Sequence, residues 1–217
     1  MDYVKICGLK EYEHIELCID NGADAVGFIY NVPSSPRNLQ KSELKSLLIK
    51  IAKRILTVIV VKPSSIFELK ELMNDIDASY FQIHINFDFQ ELDKLSNEYK
   101  EKLILALKVN QINKESVIKK IKQFHDQIFA FLIDNSEGHG TKFDFDLVRE
   151  ILREANDARI ILAGGIDINN IEKITKNLNL KPYGIDVSSS LEVEKGVKDP
   201  IKIKNFLEKI KEIKNNL

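Results

Sequence analysis

Eight short apolar runs, evenly spaced along the chain, constrain the fold more than any other feature of the sequence. Neighbouring runs end 22 to 32 residues apart, which is room for one strand, a crossover helix and two loops. Most runs are rich in Val, Ile or Phe, as parallel strands buried on both faces are. They therefore predict an α/β fold built from eight βα units. The runs are Tyr3–Cys7, Ala25–Ile29, Ile55–Val61, Ser79–Ile83, Leu103–Leu107, Ile128–Ile133, Arg159–Ala163 and Gly184–Val187.

The segments between the runs have helical periodicity and helix-end signals. The clearest predicted helices are Glu11–Asn21, Ser42–Lys53, Ser64–Asn74 and Asp199–Lys214. One begins with a serine pair near capping-box distance from Glu68, and the last has Pro200 at its first position. Eight units without a linker predict one (β/α)8 TIM-barrel domain over residues 1–217. A doubly wound open sheet is the alternative, but even spacing with no evident edge strand favours the barrel.

The composition is that of a globular protein and argues against several functional classes. Of 217 residues, 44% are hydrophobic and 30% charged, and the formal net charge is −1. Nucleic-acid binders usually carry a basic face, and the longest apolar runs here are far below membrane-spanning length. The first residues show no export signal, and two cysteines without a CxxC pair favour neither a disulfide framework nor zinc. We expect a cytoplasmic protein, monomeric or homodimeric, whose partner is a small molecule.

Strand parity predicts which side chains point into the barrel. Successive side chains alternate between faces, so Lys5 and Cys7 point inward when the apolar Val4 and Ile6 meet the helices. The same rule turns Phe129 outward. Polar groups in a core are costly unless they are paired or serve a site, and barrel enzymes build their sites at C-terminal strand ends. The inward polar set is Lys5, Cys7, Gln82, His84, Asp134 and Asp186.

Small residues after the last two strands indicate a phosphate site. Gly164-Gly165 follows the seventh run and Ser188–Ser190 follows the eighth. In barrels those two loops, with a helix N-terminus, commonly bind phosphate through backbone N–H groups. Glycines also make ordinary tight turns, so either loop alone decides little. Together they favour a phosphorylated substrate.

Longer motifs, in chain order, resemble one known family. The motifs are KICG at Lys5–Gly8, GADAVGFIY at Gly22–Tyr30, SPR at Ser35–Arg37, QIH at Gln82–His84, LIDNSEGHGTKFDF at Leu132–Phe145, ILAGGI at Ile161–Ile166 and IDVSSSLEVEKGVKDP at Ile185–Pro200. This series, over nearly the whole chain, closely resembles phosphoribosylanthranilate isomerase of tryptophan biosynthesis. The resemblance implies a single (β/α)8 barrel without metal or cofactor. It also implies an Amadori rearrangement of N-(5-phosphoribosyl)anthranilate to 1-(2-carboxyphenylamino)-1-deoxyribulose 5-phosphate.

The resemblance also implies roles for individual residues. Cys7 is the expected general base, Asp134 the general acid, and Arg37 the ligand of the anthranilate carboxylate. A base needs some thiolate, and Lys5 on the same face is expected to lower the thiol pKa. The acid must keep its proton near neutral pH, which burial of Asp134 would favour. Phosphate is expected at Gly164, Gly165, Ser188, Ser189 and Ser190, with Lys5, Gln82, His84 and Asp186 as further active-site candidates.

Some positions depart from the family pattern, and other functions stay open. Ile85 follows the QIH triplet where the family has Gly, Ser190 replaces the Gly of VSSG, and the Gly138–Phe145 loop is altered. These changes affect expected affinity more than reaction type. The alternatives are another phosphate-binding barrel enzyme, such as an indole-glycerol-phosphate synthase or a sugar-phosphate epimerase, and a non-catalytic phosphometabolite-binding relative. The four histidines show no HxH or HExxH spacing, which argues against a metal-dependent epimerase.

Overall fold

Eight parallel strands close into a barrel in the computed structural model, which describes residues 2–134, 144–155, 157–177 and 182–215. Each strand pairs in parallel with the next, and the last pairs with the first through Tyr3–Gly184 and Val4–Ile185, which closes the sheet. The predicted (β/α)8 barrel is therefore confirmed, and the open sheet is excluded. The strands are β1 (Tyr3–Cys7), β2 (Ala25–Tyr30), β3 (Leu56–Val61), β4 (Tyr80–Ile83), β5 (Leu103–Lys108), β6 (Ala130–Asp134), β7 (Ile160–Ala163) and β8 (Gly184–Val187).

Helices in the described residues alternate with the strands and surround the barrel. The one between β4 and β5 has a single turn and is preceded by a 3-10 helix, Phe89–Lys94. Three further short strands lie in the described residues, near the C-terminal end of the barrel. Asn38–Leu39 pairs in parallel with Ile29–Tyr30 at the end of β2, and Glu192–Glu194 pairs antiparallel with Val197–Lys198. The helices are α1 (Tyr12–Asp20), α2 (Lys41–Ile51), α3 (Ile66–Asp75), α4 (Asn97–Lys100), α5 (Lys114–Phe124), α6 (Phe145–Glu154), α7 (Ile171–Asn177) and α8 (Pro200–Asn215).

Helix ends fall within one or two residues of the predicted ones, for local reasons. At α3 the Ser65 hydroxyl accepts a hydrogen bond from the Glu68 backbone N–H, while the Glu68 carboxylate accepts from Ser64. This is the reciprocal N-terminal pattern that the sequence predicted, except that the glutamate reaches one residue further back. The predicted Pro200 start of the last helix is confirmed, since α8 begins at that residue.

The buried apolar residues form two layers, as strand parity predicts. An outer layer between strands and helices contains Val4, Ile6, Phe131 and Ile133. An inner layer fills the barrel, and its members alternate with outer ones along the same strands. The inner residues are Tyr3, Ala25, Val58, Ile104, Ala130, Leu132, Ile161 and Ala163.

Phe129 is a correction to the parity argument. The residue packs against the inner layer, not outward, and its ring stacks on Tyr80 with centroids 3.8 Å apart. The strand begins one residue later, at Ala130, so the alternation of strand faces does not extend to Phe129. Phe129, Tyr80, Tyr3 and Tyr183 meet at the N-terminal ends of their strands. We call these four rings the aromatic base of the barrel.

Candidate active site

Lys5 is the most deeply buried cation of the barrel interior. Its side chain is fully buried, and its ammonium donates to Gln82 Oε1 at 3.0 Å and to Asp186 Oδ1 at 2.9 Å. Gln82 lies on β4 and Asp186 on β8, so the two contacts reach different walls of the barrel. Burial alone would lower the pKa of Lys5, but Asp186 and Cys7 together outweigh burial, and the pKa is raised. The structure therefore brings three predicted site residues together around a retained positive charge.

Cys7 lies two residues beyond Lys5 on the same face of β1, and it is buried. Burial raises the pKa of the Cys7 thiol, the Lys5 ammonium lowers it, and Asp186 raises it. Lys5 thus acts in the expected direction, but burial and Asp186 together outweigh it, so the pKa of Cys7 is raised. The resting side chain is therefore mainly a thiol at neutral pH.

Asp134 and His84 lie at the same mouth of the barrel as Cys7, but on other strands of its wall. Asp134 is the last residue of β6 and stands beside Lys108 in the register of β5 and β6. His84 directly follows β4 and lines a cavity of about 1030 Å³ together with Ser35 and Lys108. Burial lowers the pKa of His84, and the neighbouring Asp134 carboxylate opposes that fall. The imidazole is therefore neutral at pH 7.

Arg37 forms a two-pronged ion pair with Glu192. Arg37 Nε lies 2.6 Å from Glu192 Oε1, and Arg37 Nη2 lies 2.7 Å from Glu192 Oε2. Lys198 donates to the same carboxylate at 2.8 Å. Burial alone would raise the pKa of Glu192, but hydrogen bonds from Arg37 and Lys198 hold it at about 2. The Arg37 side chain is therefore fixed by an ion pair within the protein and is not a solvated loop arginine.

The predicted phosphate loops lie next to each other at the ends of β7 and β8. Gly164 and Gly165 both have positive φ, +83° and +67°, a conformation that glycine adopts without strain. The Ser190 hydroxyl donates to the Ile166 carbonyl at 2.7 Å, which joins the two loops. Ser189 begins a 3-10 helix that ends at Leu191. Small residues and a helix start thus converge at one place, as an anion site requires.

Comparison with known proteins identifies the family. The family model described as N-(5'-phosphoribosyl)anthranilate (PRA) isomerase matches residues 4–209. The chain belongs to this family. The N-(5'-phosphoribosyl)anthranilate isomerase of Sulfurihydrogenibium sp. is 33% identical over 213 residues, which cover 96% of this chain and 98% of the relative. The solved phosphoribosylanthranilate isomerase of Thermotoga maritima has a TM-score of 0.80 at 26% identity and covers 98% of this chain and 100% of its own.

A second solved phosphoribosylanthranilate isomerase was determined in complex with reduced 1-(o-carboxyphenylamino)-1-deoxyribulose 5-phosphate. It has a TM-score of 0.78 at 25% identity and covers 98% of this chain and 100% of its own. These comparisons confirm the family, the barrel and the enzyme class, an isomerase of tryptophan biosynthesis, that the sequence motifs predicted.

Three residues beside the candidate site were given no role by the sequence analysis. Glu192 and Lys198 lie in the last motif, and no local pattern there shows that their side chains meet. Gly27 faces the barrel interior opposite Cys7, and a Cβ there would lie 2.8 Å from Lys5 Cε and 2.9 Å from Cys7 Sγ. A glycine inside a strand often marks such a close approach.

Part of the predicted isomerase site lies outside the described residues. Gly138 and Gly140 of the altered loop after β6 belong to this part, and only Asp144 and Phe145 of that loop are described. Within the described ranges, no group of three or more His, Cys, Asp or Glu side chains is arranged to hold a metal ion. Of the helices in those ranges, none combines the length and apolarity needed to cross a membrane.

Proposed function

We propose that this chain catalyses the family reaction with Cys7 as general base and Asp134 as general acid. The substrate is N-(5-phosphoribosyl)anthranilate, and the product is 1-(2-carboxyphenylamino)-1-deoxyribulose 5-phosphate. The known complex of a relative with the reduced form of that product supports a phosphorylated ligand. The chain works as one barrel domain in the cytoplasm, as a monomer or a homodimer.

The chemistry needs an acid and a base that act on different atoms of one sugar. Protonation of the furanose ring oxygen by Asp134 opens the ring to a Schiff base. Removal of the C2′ proton by Cys7 then gives an enolamine, which tautomerises to the ketone. Cys7 ends β1 and Asp134 ends β6, with β7 and β8 between them around the barrel. The two groups therefore reach a bound sugar from different walls of the same mouth.

The observation that carries this proposal is the placement of Cys7 beside a buried lysine at the active mouth of the barrel. Lys5 keeps its charge through Asp186 and Gln82, and it is the largest influence that lowers the pKa of Cys7. A buried cation next to a thiol opposes the rise in pKa that burial causes, and in that way it favours the thiolate that a base requires. A thiol with a merely structural role needs no such neighbour, since buried cysteine otherwise behaves as a small hydrophobe.

The two ends of the substrate have matching sites in this proposal. The phosphate is bound by backbone N–H groups around Gly164, Gly165 and Ser188–Ser190, where two loops and a helix start meet. The anthranilate carboxylate is bound by Arg37, whose planar guanidinium matches a carboxylate better than a lysine ammonium does. Binding both ends fixes the sugar between Cys7 and Asp134.

Substitution of the base and the acid tests the proposal. Cys7→Ser and Asp134→Asn should each lower kcat by about 10²- to 10⁴-fold, the usual contribution of a positioned acid or base. The purified variants should keep the circular dichroism and unfolding midpoint of the parent. Turnover is followed by the loss of fluorescence of freshly generated phosphoribosylanthranilate, and by complementation of a tryptophan auxotroph that lacks the isomerase.

Matched substitutions outside the site serve as controls. Cys18 is also a buried cysteine, but it lies in α1, and burial raises its pKa to about 12. Asp146 is an exposed carboxylate in the first turn of α6. Cys18→Ser and Asp146→Asn should keep near-parental turnover. Near-parental turnover in folded Cys7→Ser or Asp134→Asn would instead show that the role assigned to that residue is wrong.

A further inference from the structure

Glu192 is a buried acid for which the proposed reaction supplies no role. It begins the short antiparallel hairpin after β8, and its side chain is only 4% exposed. Oε1 accepts from Arg37 Nε at 2.6 Å and from Lys198 Nζ at 2.8 Å. Oε2 accepts from Arg37 Nη2 at 2.7 Å and from the Gly196 backbone N–H at 3.0 Å. Every acceptor position of the carboxylate is thus used, two of them by one guanidinium.

The geometry of this pair leaves one edge of the guanidinium unused by Glu192. An arginine has five N–H donors in one plane, and Glu192 uses the side edge formed by Nε and Nη2. The end edge, formed by Nη1 and the second Nη2 hydrogen, has no hydrogen-bond acceptor among the described residues. Such an edge can donate two hydrogen bonds to a second carboxylate while Glu192 keeps the side edge.

Close backbone contacts confine both partners of the pair. Gly8 has φ +79°, and a Cβ there would lie 2.5 Å from Arg37 Cδ, so the arginine stem passes directly over the backbone after Cys7. Gly196 has φ +90°, and a Cβ there would lie 2.9 Å from the Pro36 carbonyl oxygen. The hairpin therefore packs against the residue that precedes Arg37, and Glu192 reaches the guanidinium from a docked position.

The same cluster is connected to the rest of the site. Lys198 Nζ also donates to the Ser188 carbonyl at 2.8 Å, and the Ser188 hydroxyl donates to the Cys7 carbonyl at 3.0 Å. A continuous chain of contacts therefore runs from Arg37 through Glu192 to the phosphate loop and the strand that holds the base. One carboxylate faces two cations here, so the cluster keeps a surplus positive charge that suits an anionic substrate.

We propose that Glu192 is a positioning residue that fixes Arg37 with its end edge open to the substrate carboxylate. The inference rests on the proposed function of Arg37 and adds the residue that orients it. A planar donor that is held in place loses less freedom on binding than a mobile arginine does, so Glu192 acts on substrate affinity. The contact is made in both the ground state and the transition state, so its loss raises KM and leaves kcat nearly unchanged.

Steady-state kinetics of Glu192→Gln, Arg37→Met and the double variant test this inference. Glu192→Gln and Arg37→Met should each raise KM by about tenfold or more, because a misplaced charge-assisted contact loses that much affinity. In both variants kcat should stay near that of the parent. The double variant should be no worse than Arg37→Met alone, because Glu192 acts through Arg37. Glu194 lies exposed on the same hairpin, and Glu194→Gln should leave KM unchanged.

The outcomes separate this inference from the function on which it rests. A raised KM in Arg37→Met with a normal KM in Glu192→Gln, or additive effects in the double variant, would overturn the inference alone. A normal KM in Arg37→Met would show that Arg37 does not bind the substrate carboxylate, and it would overturn this inference as well. If Glu192→Gln does not fold, Glu192→Asp replaces it. Aspartate keeps the charge but withdraws the carboxylate by one methylene, and the same rise in KM is expected.

Discussion

The two ends of the barrel interior are built from opposite kinds of side chain. At the N-terminal ends of the strands the aromatic base closes the barrel with stacked and edge-on rings, and Arg159 lies over two of them. At the C-terminal ends the interior holds charged and hydrogen-bonded groups around Lys5, Asp186 and Glu192. Strand β1 shows the change within five residues, since Tyr3, Lys5 and Cys7 share its inner face.

This contrast shows how one barrel divides stability from chemistry. The aromatic base buries large apolar surfaces. This burial stabilises the fold and does not depend on the charge of any side chain. At the other end, charged side chains can be buried because each one is paired with an oppositely charged side chain. Substitutions at the base should therefore change stability alone, whereas substitutions at the mouth should change activity and its pH dependence as well.

Of the substitutions at the two ends of the barrel, removal of the Lys5 charge should change stability and activity most. Lys5→Met leaves Asp186 buried without its cation and should lower the free energy of unfolding by about 3–5 kcal/mol. It should also raise the pKa of Cys7 further, because the main influence that lowers this pKa is lost while Asp186 still raises it. The thiolate forms only above the thiol pKa, so the rise of kcat/KM with pH should move to higher pH. Urea unfolding and pH–rate profiles measure both effects.

An exposed pair at the opposite end of the molecule provides the control. Lys53 and Asp77 are 89% and 88% exposed, with 3.8 Å between the charged atoms. Lys53→Met should leave stability and the pH profile unchanged, since exposed pairs contribute little. Lys5→Met/Asp186→Leu should recover much of the lost stability, because an apolar pair needs no charge partner. An unchanged pH profile in folded Lys5→Met would show that Lys5 does not tune Cys7.

Gly27→Ala should have the next largest effect, because it crowds the mouth without removing any charge. The new Cβ would lie within 3.0 Å of Lys5 Cε, Lys5 Nζ and Cys7 Sγ. Both side chains are buried and Lys5 is held by two hydrogen bonds, so the strain should lower stability by about 1–3 kcal/mol and displace Cys7. We expect a clear loss of kcat, measured on the folded variant.

Val26, the preceding residue of β2, is the matched control for Gly27. It points to the outer layer, between the strand and the helices. Val26→Ala should also destabilise the fold, because it truncates a buried side chain, but it should keep normal kcat. Equal loss of kcat in both variants would mean that general loosening of β2, not contact with Lys5 and Cys7, explains the effect of Gly27→Ala.

The regular part of the fold could be predicted from the sequence because its signals are local. Spacing of apolar runs gave eight strands within one or two residues, and parity gave the inward direction of Lys5 and Asp186. Parity failed for Phe129, which stands in a bend before its strand, where the alternation does not hold. Sequence patterns do not fix a strand end to one residue, so strand parity gives the wrong face for a residue just outside the strand.

The electrostatics of the candidate site could not be predicted in the same way. Arg37 and Glu192 are 155 positions apart, and only the docked hairpin brings them into contact. The pKa of Cys7 depends on a balance between burial and two opposite charges, and motif matching gives neither the depth of the thiol nor the partner that compensates Lys5. The roles of Cys7, Asp134 and Arg37 stay predictions that the variants above test.

The smallest expected effect belongs to Tyr3, at the aromatic base. Its side chain is buried, and its hydroxyl has no hydrogen-bond partner among the described residues. An unsatisfied buried hydroxyl destabilises the folded state, so Tyr3→Phe should raise the free energy of unfolding by about 1 kcal/mol. Activity should not change, because the ring stays in place and the phenol, whose pKa is raised by burial, carries no charge. Urea unfolding measures the difference.

Tyr80→Phe, at a half-buried ring of the same base, should have no effect on stability. A loss of stability in Tyr3→Phe would mean that the hydroxyl has a partner in solution, and the base would then resemble the mouth in holding a polar group by a specific contact.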